Sequence, residues 1–222
     1  VIEPRYREPL IFDIECTSIK GVDEFIEPAQ APANYKDEAK IAQFIAEKRA
    51  EKIRRAALDP DLARVVCIGV DGHDGGHVAI ARHDDDEARL LQWFWDQQVR
   101  HQAEQAVLIG FGILTYDLRV LVRRSLYLGV RAATVSLDRY KHPGVVDLME
   151  ILSFNGAENY HSLNFYIQRF GLGPFEPDIS GDAVSACIAV GDWTTVEQHC
   201  RMDVRKTRAL AERIGVLQKE AA

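Results

Sequence analysis

The sequence predicts an α/β fold, a mixed sheet with helices packed on its faces. Short apolar runs with strand composition stand at 9–15, 63–72 and 106–112. Longer stretches with helical apolar spacing separate and follow them. Strands come first, and strands then alternate with helices, an order that suits a mixed sheet covered by helices.

Each element has its own signal. "PLIFDIE" is a buried strand, and residues 19–35, rich in Pro, Ala and Gly, leave it as a long excursion. "YKDEAKIAQFIAEKRAEKIRRAAL" reads as a helix with a partial apolar stripe of Ile41, Phe44, Ile45, Lys48 and Ile53, ended by "LDPD". "ARVVCIGVDG", the turn "HDGGH" and "HVAIAR" form a hairpin. "DDDEARLLQWFWDQQV" is a helix with acids at its start, where the macrodipole favours them. "AVLIGFG" is a further buried strand. "TYDLRVLVRRSLYLG" is a helix expected to be capped by Thr115 and ended by Gly129. "GVVDLMEIL" fits a strand or a helix, and "HSLNFYIQRFGLG" is a helix stopped by Gly171. A long final helix covers "DWTTVEQHCRMDVRKTRALAERIGVL". No internal repeat, low-complexity segment or second core is visible, so 1–222 is expected to be a single domain with an insertion at about 19–60.

Bulk properties narrow the class. The chain has 222 residues, 47% hydrophobic and 27% charged, a composition that excludes disordered and fibrous proteins. No apolar run approaches the ~18 residues of a membrane span. The start, "VIEPRYREPL", lacks a signal-peptide pattern and an initiator Met, which points to an excised domain or a processed chain. Cys16, Cys67, Cys187 and Cys200 form no CxxC pair, hence neither a zinc pattern nor a disulfide frame. A reducing cytoplasm, bacterial or phage-encoded, is the expected setting. A net charge of −7 argues against a general polyanion-coating protein. An acidic metal site would itself contribute negative charge.

The sharpest feature is "LIFDIECTS", where Asp13 and Glu15 stand two residues apart in an apolar run. On a strand they share one face while Phe12 and Ile14 bury the other. Two close carboxylates repel, and one pKa rises. A divalent cation resolves the conflict; a solvated acidic edge is the alternative. Asp117 lies at a strand-to-helix junction, and Asp203 on the last helix has His199 four residues earlier on the same face. Four acids on three elements can converge on a two-metal centre suited to in-line displacement at phosphorus. Oxygen ligands favour Mg2+ or Mn2+.

"FDIEC", "GFGILTYDLRVL" and "HCRMDVRKTRAL", in this order, resemble the three motifs of the DEDD 3′–5′ exonucleases, which have a ribonuclease H-like fold. The nearest resemblance is to the predicted 3′–5′ exonucleases related to the proofreading domain of family-B DNA polymerases. "VVDLMEILSFNGAENYHSLNFYIQRFGLG" is similar to that family's segment between the second and third motifs, so the likeness spans residues 9 to 212. It implies that Asp13, Glu15, Asp117 and Asp203 bind two Mg2+ or Mn2+ ions, and that His199 orients or deprotonates the attacking water. It implies release of nucleoside 5′-monophosphates from 3′ ends of single-stranded DNA. A polymerase or another replication or repair protein is an expected partner. The chain departs from the pattern at Gly112, where the family usually has Asn. It departs again at His199, which stands four residues before Asp203 where one subclass has Tyr. An exoribonuclease on short RNA and a non-catalytic module binding nucleic-acid ends are the rival readings.

Other residues carry weaker signals. Thr17 can donate to a terminal nucleotide or shape a turn, and Leu114 can wedge against a base or simply pack. Tyr116 is the aromatic that precedes the second-motif acid. Asp147 is a fifth acid or a helix cap, and Asn155 and Asn159 lie in a polar loop. Arg119, Arg123, Arg201, Arg205, Lys206 and Arg208 track phosphates or form solvated helix faces. Trp93 and Trp95 stack on bases or pack on the sheet. His73, His77 and His83 lack metal spacing and receive no role.

Overall fold

A computed structural model describes residues 9–217 apart from 73, 104–106, 137, 139–140 and 177–178. His73 and the N-terminal residues read for a signal peptide therefore lie outside the described residues. Strands β1 (Leu10–Ser18), β2 (Ala63–Gly72), β3 (Gly75–Ile80), β4 (Leu108–Gly110) and β5 (Val145–Asp147) form one sheet in the order β3-β2-β1-β4-β5. β1, β2 and β3 pair antiparallel, whereas β4 runs parallel to β1 and β5 parallel to β4. The helices are α1 (Glu38–Ala56), α2 (Glu87–Ala103), α3 (Asp117–Leu128), α4 (Leu148–Leu152), α5 (Leu163–Arg169), α6 (Val184–Ala189) and α7 (Trp193–Arg213).

Alternation along β1 sorts its side chains onto two faces. Phe12 and Ile14 enter a core with Leu91, Phe94 and Trp95 of α2 and Leu118 and Leu121 of α3. The rings of Phe12 and Phe94 lie 5.0 Å apart. Ile11 faces the other way and packs with Val204 and Leu210 of α7. Asp13 and Glu15 share that second face by register, so the long final helix is the element laid over them. On the first face, Glu87 accepts from Arg124 at 2.8 and 2.7 Å and from the Val65 backbone N–H at 2.9 Å. That acid, expected to serve the helix dipole, is a buried tie between α2, α3 and β2.

Several expectations are revised. Thr115 does not cap α3: its hydroxyl donates to the Gly112 carbonyl at 2.7 Å, and Tyr116 holds the cap position without a side-chain bond. The chain already turns over 112–116, and that turn takes up the hydroxyl. "GVVDLMEIL" divides into β5 and α4, with Asp147 capping α4 through the Met149 N–H. Lys48 leaves the apolar stripe of α1 and pairs with Glu51 at 2.7 Å in solvent. α6 was not foreseen, because six residues are too few for a periodic signal.

Gly69 of β2 stands opposite Asp13 in the ladder. A Cβ there would lie 2.9 Å from Cγ2 of Val204 and 3.0 Å from Sγ of Cys200. The missing side chain lets α7 seat directly on the sheet beside the acidic pair. Gly69→Val is expected to destabilise the chain by about 1–3 kcal/mol through overpacking. Urea unfolding should show a lower midpoint with an unchanged slope.

Candidate active site

Carboxylate oxygens of Asp13 and Glu15 lie with the Cys200 sulfur within 4.8 Å of one another. Both acids come from β1, whose two-residue period puts them on the face under α7. α7 brings its own groups one turn apart. His199, buried, sets Nε2 3.5 Å from Oε1 of Glu15. Cys200 reaches the Asp13 backbone carbonyl at 3.6 Å. Asp203 accepts from the buried Lys206 ammonium at 2.9 Å.

Asp117 arrives from the other side through a turn. β4 ends at Gly110, so on that edge β1 has no partner strand beyond Ile11, while β2 stays paired along the other. The Ile14 N–H on that stretch instead donates to the Asp117 carboxylate, as does Asp117's own N–H. Asp147 holds the turn that delivers it. Its carboxylate accepts from the N–H groups of Gly112 at 2.8 Å, Leu114 at 2.9 Å and Met149 at 2.9 Å. Gly112 has φ 76, a left-handed conformation open to Gly and, among other residues, best to Asn. That explains why Gly can stand where the resembled motif has Asn.

The close cluster holds Asp13, Glu15 and Cys200, and Asp117 and Asp203 act on it through their charge. Burial, then the charges of Glu15, Asp117 and Asp203, and lastly Cys67, push the Asp13 carboxyl well above its usual range. Burial pushes Asp117 to about 7, against the pull of its two backbone donors. A hydrogen bond with Cys67, burial and the neighbouring acids push the Cys200 thiol up. The sulfur donates to the Asp13 carbonyl, and the carboxylate oxygens beside it are the hard ligands of the cluster. Crowded buried carboxylates of this kind fit a hard divalent cation.

Residues 58–220 match the family of predicted 3′–5′ exonucleases related to the exonuclease domain of PolB. The chain belongs to this family. The matched span includes Asp117, His199 and Asp203 and begins after the strand of Asp13 and Glu15. Comparison with curated proteins returns no match. Among solved structures, the family B DNA polymerase of the hyperthermophilic archaeon Pyrobaculum calidifontis is similar over 95% of this chain, with a TM-score of 0.63 and 21% identity. This chain spans 25% of that polymerase. The likeness shows the fold, a mixed five-stranded sheet of ribonuclease H type flanked by helices.

In this exonuclease-family chain, Thr17 and Tyr116 line a cleft of about 690 Å³ with Glu15. Tyr116 also donates its hydroxyl to the Ala57 carbonyl. Leu114 packs against the core under α3. Trp95 is buried and donates to Ser125 at 2.8 Å, leaving Trp93 half-buried beside it. Arg123 pairs with Asp61, Arg201 with Glu197 and Arg208 with Asp71. Asn155 and Asn159 are exposed, Asn155 with φ 58. Lys206 was read among solvated cations, yet it is buried. The signal was its position three residues after Asp203 on the inward face that also carries Leu210.

Asp147→Ala leaves buried N–H groups without an acceptor and removes a cap. Chemical denaturation should show a loss of about 2–4 kcal/mol. A second expectation concerns the metal-free chain. Asp13 and Asp117 have folded pKa values above those of the unfolded chain, so the native state holds protons that the unfolded state releases. Their stabilising contribution is complete below about pH 4; that of Asp117 is lost as pH rises through about 7, and that of Asp13 falls in the same direction. Thermal melting with chelator should show this decline, and Mn2+ at pH 7 should reverse it.

Proposed function

We propose that the chain is a metal-dependent 3′–5′ exonuclease that hydrolyses single-stranded DNA to nucleoside 5′-monophosphates, with 1–222 acting as one domain. What carries this reading is the set of charges acting on Asp13, those of Glu15, Asp117 and Asp203. Separate elements supply them, and the family is one of predicted exonucleases.

Asp13, Glu15, Asp117 and Asp203 hold two Mg2+ or Mn2+ ions. When bound, such ions supply charge neutralisation, activation of water and stabilisation of the leaving 3′ oxygen. The chain's own groups do the rest. His199 takes the proton of the attacking water at Nε2, the nitrogen turned to Glu15. Lys206 fixes the Asp203 carboxylate through its ammonium. The Ile14 N–H orients Asp117. Thr17 and Tyr116 border the terminal nucleotide in the cleft, and Leu114, half-buried on the turn before Asp117, wedges against the nucleotide's base.

A 5′-labelled single strand with Mn2+ should shorten as a descending ladder, and chelator should stop it. Cutting of closed circular strands at a comparable rate would make the enzyme an endonuclease, and faster loss of a matched RNA would make it an exoribonuclease. Asp13→Ala should abolish the ladder while retaining the fold. His199→Ala should lower turnover by about 10²–10⁴, and His199→Tyr should keep substantial activity. A near-normal rate for His199→Ala would put the base elsewhere.

A further inference from the structure

The cleft that holds Glu15 has a second wall. Opposite the strand end lie Arg54 and Arg55 from the last turn of α1, followed by Leu58. A neighbouring cavity of about 780 Å³ shares Arg55 and Leu58 with the cleft and continues to Phe25. The two spaces adjoin at Arg55 and Leu58, and the second, lined also by Glu27, Glu51 and Asp59, lies over the excursion. Both are of the size that ligand sites take.

The cations of α1 are not equivalent. Lys48 is paired with Glu51, Arg49 with Asp23, and Lys52 with the Glu27 carbonyl. Arg54 and Arg55 are exposed and form no side-chain hydrogen bond or ion pair among the described residues. A helix C-terminus favours cations through its dipole, which accounts for their presence in the last turn. It does not account for two guanidinium groups lining the cleft of a carboxylate site, where Glu51 acts on both only through longer-range charge. The second space also exposes large apolar side chains, Phe25 at 63% and Leu58 at 66%. Planar charged forks beside exposed apolar surface match a single strand, with phosphates for the arginines and base faces for the ring.

We propose that Arg54 and Arg55 grip backbone phosphates of the substrate strand upstream of its 3′ end, and that the strand leaves the cleft past Leu58 and Phe25. The inference rests on the exonuclease reading for the identity and polarity of the strand. It gives the excursion after β1 a binding role separate from the carboxylates. The acids at the inner end repel a polyanion, so the arginines supply the attraction that holds the strand there.

The test measures binding of a fluorescent 15-nucleotide DNA single strand to the full chain with Mn2+, in an Asp13→Ala background that removes turnover. Arg54→Gln/Arg55→Gln should weaken binding tenfold or more. It should also flatten the dependence of log affinity on log salt by about 1.4, two contacts at ~0.7 each for single strands. Arg54→Lys/Arg55→Lys keeps the charge and should stay near the parent in both quantities. Equal affinity and slope for all three proteins would overturn the proposal, as would the absence of measurable binding by the parent. The binding measurement needs no cutting. A wild-type chain that binds the strand through these arginines but never shortens it would overturn the exonuclease reading alone.

Discussion

Asp13 carries its carboxylate into the seam between β1 and α7, where burial and three other acids all disfavour ionisation. Much of the molecule around it answers that strain. Asp117 receives two backbone N–H groups. Asp203 receives a buried ammonium, and Glu15 faces an imidazole. These contacts hold the acids in place, yet they leave the repulsion on Asp13 itself. A seam built in this way has a standing demand for positive charge, which a bound cation would meet.

Holding such a cluster together falls to neutral parts of the chain. α7 lies close because Gly69 has no side chain to keep it off, and the pair Arg208–Asp71 fastens the same helix to β2. Asp117 is aimed by the turn that Asp147 clamps from β5. On the opposite face, Phe12, Phe94 and Trp95 form a tightly packed layer that fixes β1 from behind. The acids therefore sit on a strand that cannot retreat from its charges. Asp147 is buried as well, but its charge is spread over three N–H donors, and its work is geometric.

The excursion between β1 and β2 adds a surface that the sheet lacks. Asp37 caps α1 at one end through the Ala39 and Lys40 N–H groups. At the other, the Ala57 carbonyl accepts from Tyr116. That contact ties the helix's C-terminal end to the turn before Asp117, so one wall of the cleft and that acid share an anchor. α6 borders the same cleft through Ser185.

The sequence by itself determined the acidic set and the order of the main elements. Asp13 and Glu15 were legible because a strand repeats every two residues, and His199 with Asp203 because a helix repeats every 3.6. The hairpin followed from its glycines, and the motif order pointed to the family that residues 58–220 then matched. Tertiary structure alone decided which partners those residues meet. Asp147 reads as a cap by local spacing, but its hold on Gly112 and Leu114 joins positions more than 30 residues apart. Lys206 is polar by type and buried by placement. Gly69 in a strand signals a close approach, although only the packed helix shows what approaches. Thr115 lost its capping role to a turn formed by its predecessors. Local periodicity fixes which face a side chain takes, whereas hydrogen-bond partners and desolvation depend on chain segments distant in sequence.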